Sequence, residues 1–152
     1  MGGNFTDNYL GRTFYDLKLQ LGLRLIDTQR RVPSRQGGHA EALIANLNVT
    51  RIQKTQFFRS YFTLKLNGQA TDKRVLSSGK KSVGGMGTVR GYTLAEIAGD
   101  MGYNASIDYT IPFPNPIKLF KDFPTLDQIL SFNIFLDHGK VFTRDKLTLE
   151  TA

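Results

Sequence analysis

Arg90 and Asp137 are the two residues of this sequence whose types and settings could do the most chemistry together. Arg90 lies in the run Gly84-Gly85-Met86-Gly87-Thr88-Val89-Arg90-Gly91-Tyr92, and Asp137 in Phe135-Leu136-Asp137-His138-Gly139. A guanidinium can meet a carboxylate through two parallel N–H···O bonds, which sets orientation as well as position and which lysine does not reproduce. Such a pair would hold a glycine-rich loop to a strand. Removing one partner of an enclosed pair costs about 3–5 kcal/mol, whereas a hydrated pair contributes little.

Other chemistry is poorly supplied. Gly84, Gly85, Gly87 and Gly91 could cradle a phosphate, but no Gly-Lys-Ser/Thr closes a Walker loop, and Arg90 stands where a dinucleotide fingerprint has its third glycine. A merely solvated loop would use these glycines for positive backbone angles. The compact Val89-Arg90-Gly91-Tyr92 unit, with a cation between a β-branched and an aromatic residue, argues for more than solubility. His39 and His138 have no ligand cluster at metal spacing, and solvated or lumen positions are expected for both. Asp72, Glu96, Asp100 and Asp108 form no carboxylate pair with an acid/base task, and neither a Gly-x-Ser-x-Gly elbow nor any Cys occurs. No enzyme activity, cofactor, metal or small-molecule substrate is expected.

The elements that must position the pair read as strands. From Tyr15 to Leu25 every odd position is apolar or aromatic and every even one polar, charged or Gly. Successive strand side chains point to opposite faces, so one face becomes a Leu ladder and the other is hydrated. At a helical period the same Leu residues would scatter around the axis. The theme repeats over 43–49, 58–66, 103–111 and about 129–142, where Phe132, Ile134 and Leu136 oppose Phe135 and Asp137. The stretch 15–25 is close to the ~9–11 residues a tilted strand needs to cross hydrocarbon.

Bulk properties agree with this class. The 152 residues carry a net charge of +7, and 40% are hydrophobic; no apolar run approaches the ~20 residues of a spanning helix. A mean hydropathy of −0.27 does not argue against a barrel, because only alternate residues face lipid. The cations form only short clusters, such as Arg30-Arg31 and Lys80-Lys81, so no specific nucleic-acid partner is expected. Long links at 27–38 and 71–98 would be extracellular and the tight link at 52–54 periplasmic, while the Pro-rich link at 114–128 is longer than a periplasmic turn should be. With no signal peptide at Met1 and an alternating run still beginning at Lys146, residues 1–152 are expected to be a fragment cut at both ends.

Taken together, Val89-Arg90-Gly91-Tyr92 after Gly84-Gly85, then Gly99-Asp100-Met101-Gly102, a strand ending in Pro112 and Pro114, and Phe135-x-Asp137-x-Gly139 resemble the Omp85 superfamily. More narrowly, with Gln69 and Val75-Leu76-Ser77-Ser78 ahead of the loop, the sequence is similar to the hemolysin secretion/activation proteins, the outer-membrane transporters of two-partner secretion. The resemblance covers about residues 40–142. It implies an all-β, antiparallel transmembrane barrel of about 16 strands, of which this chain would hold about five or six. Residues 1–152 would then belong to the C-terminal barrel domain, with no periplasmic transport-associated domain. It further implies a loop folded into the lumen, with Arg90 at its tip and Asp137 as inward-facing partner beside Phe135 and Gly139.

The expected function follows from that resemblance. An unfolded partner protein would enter from the periplasm, pass the lumen and fold outside the bacterial outer membrane, with loop 71–98 as the movable element. Lys18, Arg24, Arg59, Lys65, Asn104 and Asp108 would line the path, and lipid would meet the opposite face. Two alternatives differ in task or class: an insertase that assembles other outer-membrane proteins, and a soluble ligand-binding β-barrel whose Leu ladder faces a dry core.

Overall fold

The computed structural model describes residues 1–7, 10–22, 38–57, 59–114, 117 and 124–144. Eight strands lie within them: β1 (Gly2–Thr6), β2 (Gly11–Leu21), β3 (Leu43–Lys54), β4 (Tyr61–Thr71), β5 (Lys81–Val83), β6 (Ile97–Gly99), β7 (Met101–Pro112) and β8 (Ser131–Phe142). The helical content is a 3-10 turn at Ser77–Gly79 and the single turn α1 (Leu126–Ile129). Among the described residues no helix is long and apolar enough to cross a membrane. Six strands form one antiparallel sheet in the order β1-β2-β3-β4-β7-β8, and β5 and β6 pair separately. This is the all-β antiparallel fold expected of a partial barrel, and the sheet is not closed.

Register turns the alternation of each strand into two faces of the sheet. Leu17 pairs with Leu47, Leu47 with Gly68, Leu64 with Ile107 and Ile107 with Leu136, so apolar positions fall beside apolar positions across the long strands. A one-residue slip in any pair would mix the faces. The apolar face is uncovered: Leu19 is 66% and Leu136 69% exposed. That is the opposite of the dry core a soluble barrel would build around the Leu ladder. Phe62 stacks on Tyr109 with ring centroids 4.4 Å apart near one end of the strands, and Tyr103 on His138 at 5.6 Å near the other. Aromatic girdles at both rims are a habit of outer-membrane strands.

Strand lengths fit the same setting. β3, β7 and β8 have 12 residues each; at about 3.4 Å per residue and a barrel tilt of about 40°, such a strand rises about 31 Å, close to the hydrocarbon thickness.

Several sequence expectations need correction. The strand expected at 15–25 starts earlier and is described over Gly11–Leu21; residues 23–25, Arg24 among them, lie outside the described residues, as does all but Gly38 of link 27–38. The expected link at 52–54 is strand; the turn sits at 55–60, where Ser60 Oγ donates to Phe57 O and Thr55 N donates to Ser60 O. Arg59 occupies that turn with a φ of 55°, so it does not line the wall. Alternation carried the expectation too far because Phe58 and Ser60 happen to continue the period. His138 also departs, lying on the apolar face with Tyr103 and not on the polar one. β1 was not anticipated, and of link 114–128 the described part includes α1. The alternating run from Lys146 lies outside the described residues.

Candidate functional site

The segment between β4 and β7 lies on the polar face at β7 and β8. Its stem is tied down first. Asp100, fully buried, accepts hydrogen bonds from Val75 N at 3.1 Å and Arg144 N at 2.8 Å. Gln69 Nε2 donates to Gly79 O and to Asp100 O, while Arg144 donates through its guanidinium to Thr71 O. One carboxylate thus joins the two ends of the loop to the chain after β8. Beyond the stem, β5 and β6 pair from Lys81↔Gly99 to Val83↔Ile97 and leave residues 84–96 as the tip.

Glycine shapes that tip where no other residue would fit. Gly84 has a φ of 124°, and a Cβ on it would fall 2.4 Å from Thr93 O. Gly85 (φ 93°) then opens a tight turn closed by Thr88 N donating to Gly85 O, and Thr88 Oγ1 accepts from Gly84 N. Gly91 (φ 88°) turns the chain away after Arg90. The approach to the wall is tight at one more glycine. A Cβ on Gly139 would lie 2.5 Å from Val83 Cγ1 and 3.0 Å from Val89 Cγ2, so the small apolar core of Val83 and Val89, both buried, packs directly on β8 backbone.

Arg90 is thereby delivered onto a two-by-two patch of β7 and β8, where Ser106 pairs with Asp137 and Asp108 with Phe135. Its Nε donates to Asp137 Oδ2 at 2.7 Å and its Nη2 to Asp137 Oδ1 at 2.6 Å, a bidentate pair. Nη1 donates to Asp108 Oδ1 at 2.6 Å and Nη2 also to Ser106 Oγ at 2.9 Å. The Arg90 backbone N–H adds a bond to Asp137 Oδ2 at 2.9 Å, and the guanidinium carbon lies 3.7 Å above the Phe135 ring centroid, a cation–π contact. Asp137 is only 4% exposed and Arg90 23%, so the pair lies nearer the enclosed limit than the hydrated one. Hydrogen bonding to Asp137, and after it to Asp108, holds the Arg90 pKa above its ordinary value against the opposing effect of burial. The guanidinium stays charged.

Of the residues singled out in the sequence, Gly84, Gly85, Val89, Arg90, Gly91, Phe135, Asp137 and Gly139 come together here. Tyr92 does not join the patch; it is exposed and borders a shallow cavity with Val83, Val89 and Ile97. Lys18 and Lys65 are on the polar face, Lys18 within 4.0 Å of Asp16 and Lys65 in register with Ser106 beside the Arg90 patch. Asn104 is buried on the same face. Asp108, expected only as a lining residue, is a second acceptor of Arg90, and Ser106 completes the set. Both share the parity of Asn104, but only the register with β8 reveals their role. Asp100 entered the sequence analysis within the Gly99-Asp100-Met101-Gly102 motif and as a carboxylate without an acid/base partner, and neither signals what it will bind.

An antiparallel sheet with one uncovered apolar face, one polar face and a loop clamped onto the polar face by an arginine belongs to the outer-membrane barrel class. The family model of the haemolysin secretion/activation protein ShlB/FhaC/HecB matches residues 5–149. The chain belongs to this family of two-partner secretion transporters, whose members are transporters of the bacterial outer membrane. No curated protein and no solved structure matches it.

Proposed function

We propose that this chain is part of the C-terminal transmembrane barrel of an outer-membrane transporter that secretes a large partner protein, delivered unfolded from the periplasm, and that the tip of its inward loop is the element that moves. The apolar face meets lipid and the polar face lines the lumen. The observation that carries the reading is the seat of Arg90: the loop is held on the polar side of the sheet by charged, directional contacts, which can exchange for water without exposing a large apolar surface. Among the described residues the outer edges of β1 and β8 are unpaired, which hydrocarbon does not tolerate, so the reading includes further strands beside them. It also narrows the moving part. The stem tied by Asp100 and Gln69 stays with the wall, leaving residues 80–98 to swing.

Deletion of the gene in its own host tests this. One large secreted protein should vanish from the culture medium and return on complementation, with other outer-membrane proteins at normal levels. A general fall in outer-membrane proteins, with secretion unaffected, would favour the insertase and sink the transporter.

A further inference from the structure

Between the loop and the polar face of β3, β4 and β7 lies a groove of about 470 Å³, bordered by Asn48, Lys65, Asn67, Lys80, Lys81 and Asn104 among others, with no Asp or Glu in its lining. Three lysines meet there without a carboxylate. Lys81 Nζ donates to Asn67 Oδ1, a neutral acceptor, and Asn67 Nδ2 donates in turn to Asn48 Oδ1. Burial lowers the Lys81 pKa below its ordinary value. Asn104 is 6% exposed, and among the described residues its Oδ1 has no hydrogen-bond partner. An enclosed acceptor without a donor is costly, as is a half-buried ammonium without an anion.

Both deficits call for one kind of occupant. We infer that this groove is a binding subsite for an acidic, extended polypeptide segment, whose side-chain carboxylates meet Lys65, Lys80 and Lys81 while a backbone N–H donates to Asn104 Oδ1. A simple halide would answer the lysines and leave Asn104 unpaired; a metal cation would be repelled by the lysines. The border has no aromatic platform on which a nucleic-acid base could stack. Of the neighbouring acids, Asp108 and Asp137 are engaged by Arg90, and Asp16 accepts from Asn48 Nδ2 at 3.5 Å and lies 4.0 Å from Lys18 Nζ. The inference rests on the transporter reading and gives it a substrate preference: the passing chain presents Asp- or Glu-rich stretches to the wall.

The test is fluorescence anisotropy of labelled decapeptides on the intact, detergent-purified outer-membrane protein. A Glu-rich decapeptide should bind with a Kd about tenfold lower than a Gln-rich one of the same length, and the gap should close in molar salt. Lys65→Gln with Lys81→Gln should abolish the difference, and Asn104→Leu should weaken both peptides alike. Lys65 is exposed on the wall, so Lys65→Gln alone reads the groove, as a partial loss, even where the Lys81 variant fails to assemble. Equal binding of the two peptides, or a difference indifferent to the lysine substitutions, overturns the inference. A protein that exports its partner yet shows no acidic preference rejects the groove alone; one that prefers the Glu peptide yet exports nothing rejects the transporter reading.

Discussion

Gly139 of β8 and Val83 of β5 are so close that a methyl group on the glycine would stand 2.5 Å from the valine Cγ1. That distance is about 1 Å shorter than ordinary van der Waals contact. Gly139→Ala should therefore displace the loop tip, at the ~1–3 kcal/mol typical of overpacking. Limited proteolysis within residues 84–96 should become faster, with the barrel itself unchanged in heat-modifiable gel mobility. Wild-type cleavage rates would mean that the wall is not the seat of the tip.

The second prediction concerns the form of the Arg90 contacts. Arg90→Ala should impair secretion of the partner while leaving membrane insertion largely intact, and Arg90→Lys should rescue little, since a point charge cannot serve Asp137, Asp108 and Ser106 at once. Loosening of the tip by roughly 3 kcal/mol, the low end for an enclosed pair, is expected because the guanidinium keeps some contact with water. Measuring the partner in the culture supernatant decides it; full secretion by either variant would remove the cation from the mechanism.

A charge swap should fail, and for a stated reason. Arg90→Asp with Asp137→Arg would restore a simple two-residue pair. In this protein it sets an aspartate at position 90 against Asp108, whose Oδ1 lies 2.6 Å from the native guanidinium. Proteolysis of the tip should remain as fast in the double variant as in either single one. Adding Asp108→Asn to the swap should recover protection, and recovery without it would show that Asp108 contributes little.

Orientation of the sheet is tested on β2. Leu17 is near the middle of Gly11–Leu21 on the apolar face, and Leu21 is its last residue. Leu17→Arg should cost about 2–4 kcal/mol and lower the amount of inserted protein, whereas Leu21→Arg, near the interface, should cost about 0–1 kcal/mol. Membrane fractionation with urea extraction of aggregates gives the measure. Equal tolerance at both positions would put the faces the wrong way round.

At the loop stem, Asp100→Ala would leave the backbone N–H groups of Val75 and Arg144 without their acceptor. Each buried donor so orphaned costs about 1–3 kcal/mol. The temperature at which the heat-modifiable band converts should fall, and protease should cut near residues 74–79, which stay protected when only the tip is released by Arg90→Ala. Cleavage of the same bonds in both variants would mean that stem and tip move as one.

What could be read in advance follows the range of each interaction. A strand's two faces depend on a period of two residues, so the Leu ladder of β2 and the parity that opposes Asp137 to Leu136 are visible within a short window. The same locality misled at Arg59, where alternation ran through a turn that only a positive φ reveals. The role of Asp100 was illegible because its partners, Val75 and Arg144, lie 25 and 44 positions away.

The sequence by itself determined an antiparallel β fold with one apolar and one polar face, and it marked Arg90 and Asp137 through their glycine and aromatic company. Tertiary structure decided what each of them touches. The pairing of Ser106 with Asp137 and of Asp108 with Phe135 exists only once β7 and β8 are in register, and the seat over that patch exists only once Gly139 lets Val83 and Val89 approach. Side-chain alternation is a property of neighbouring backbone units. A binding patch is a property of strands that meet only after the chain has closed long loops, and no local pattern encodes which atoms will then be 3 Å apart.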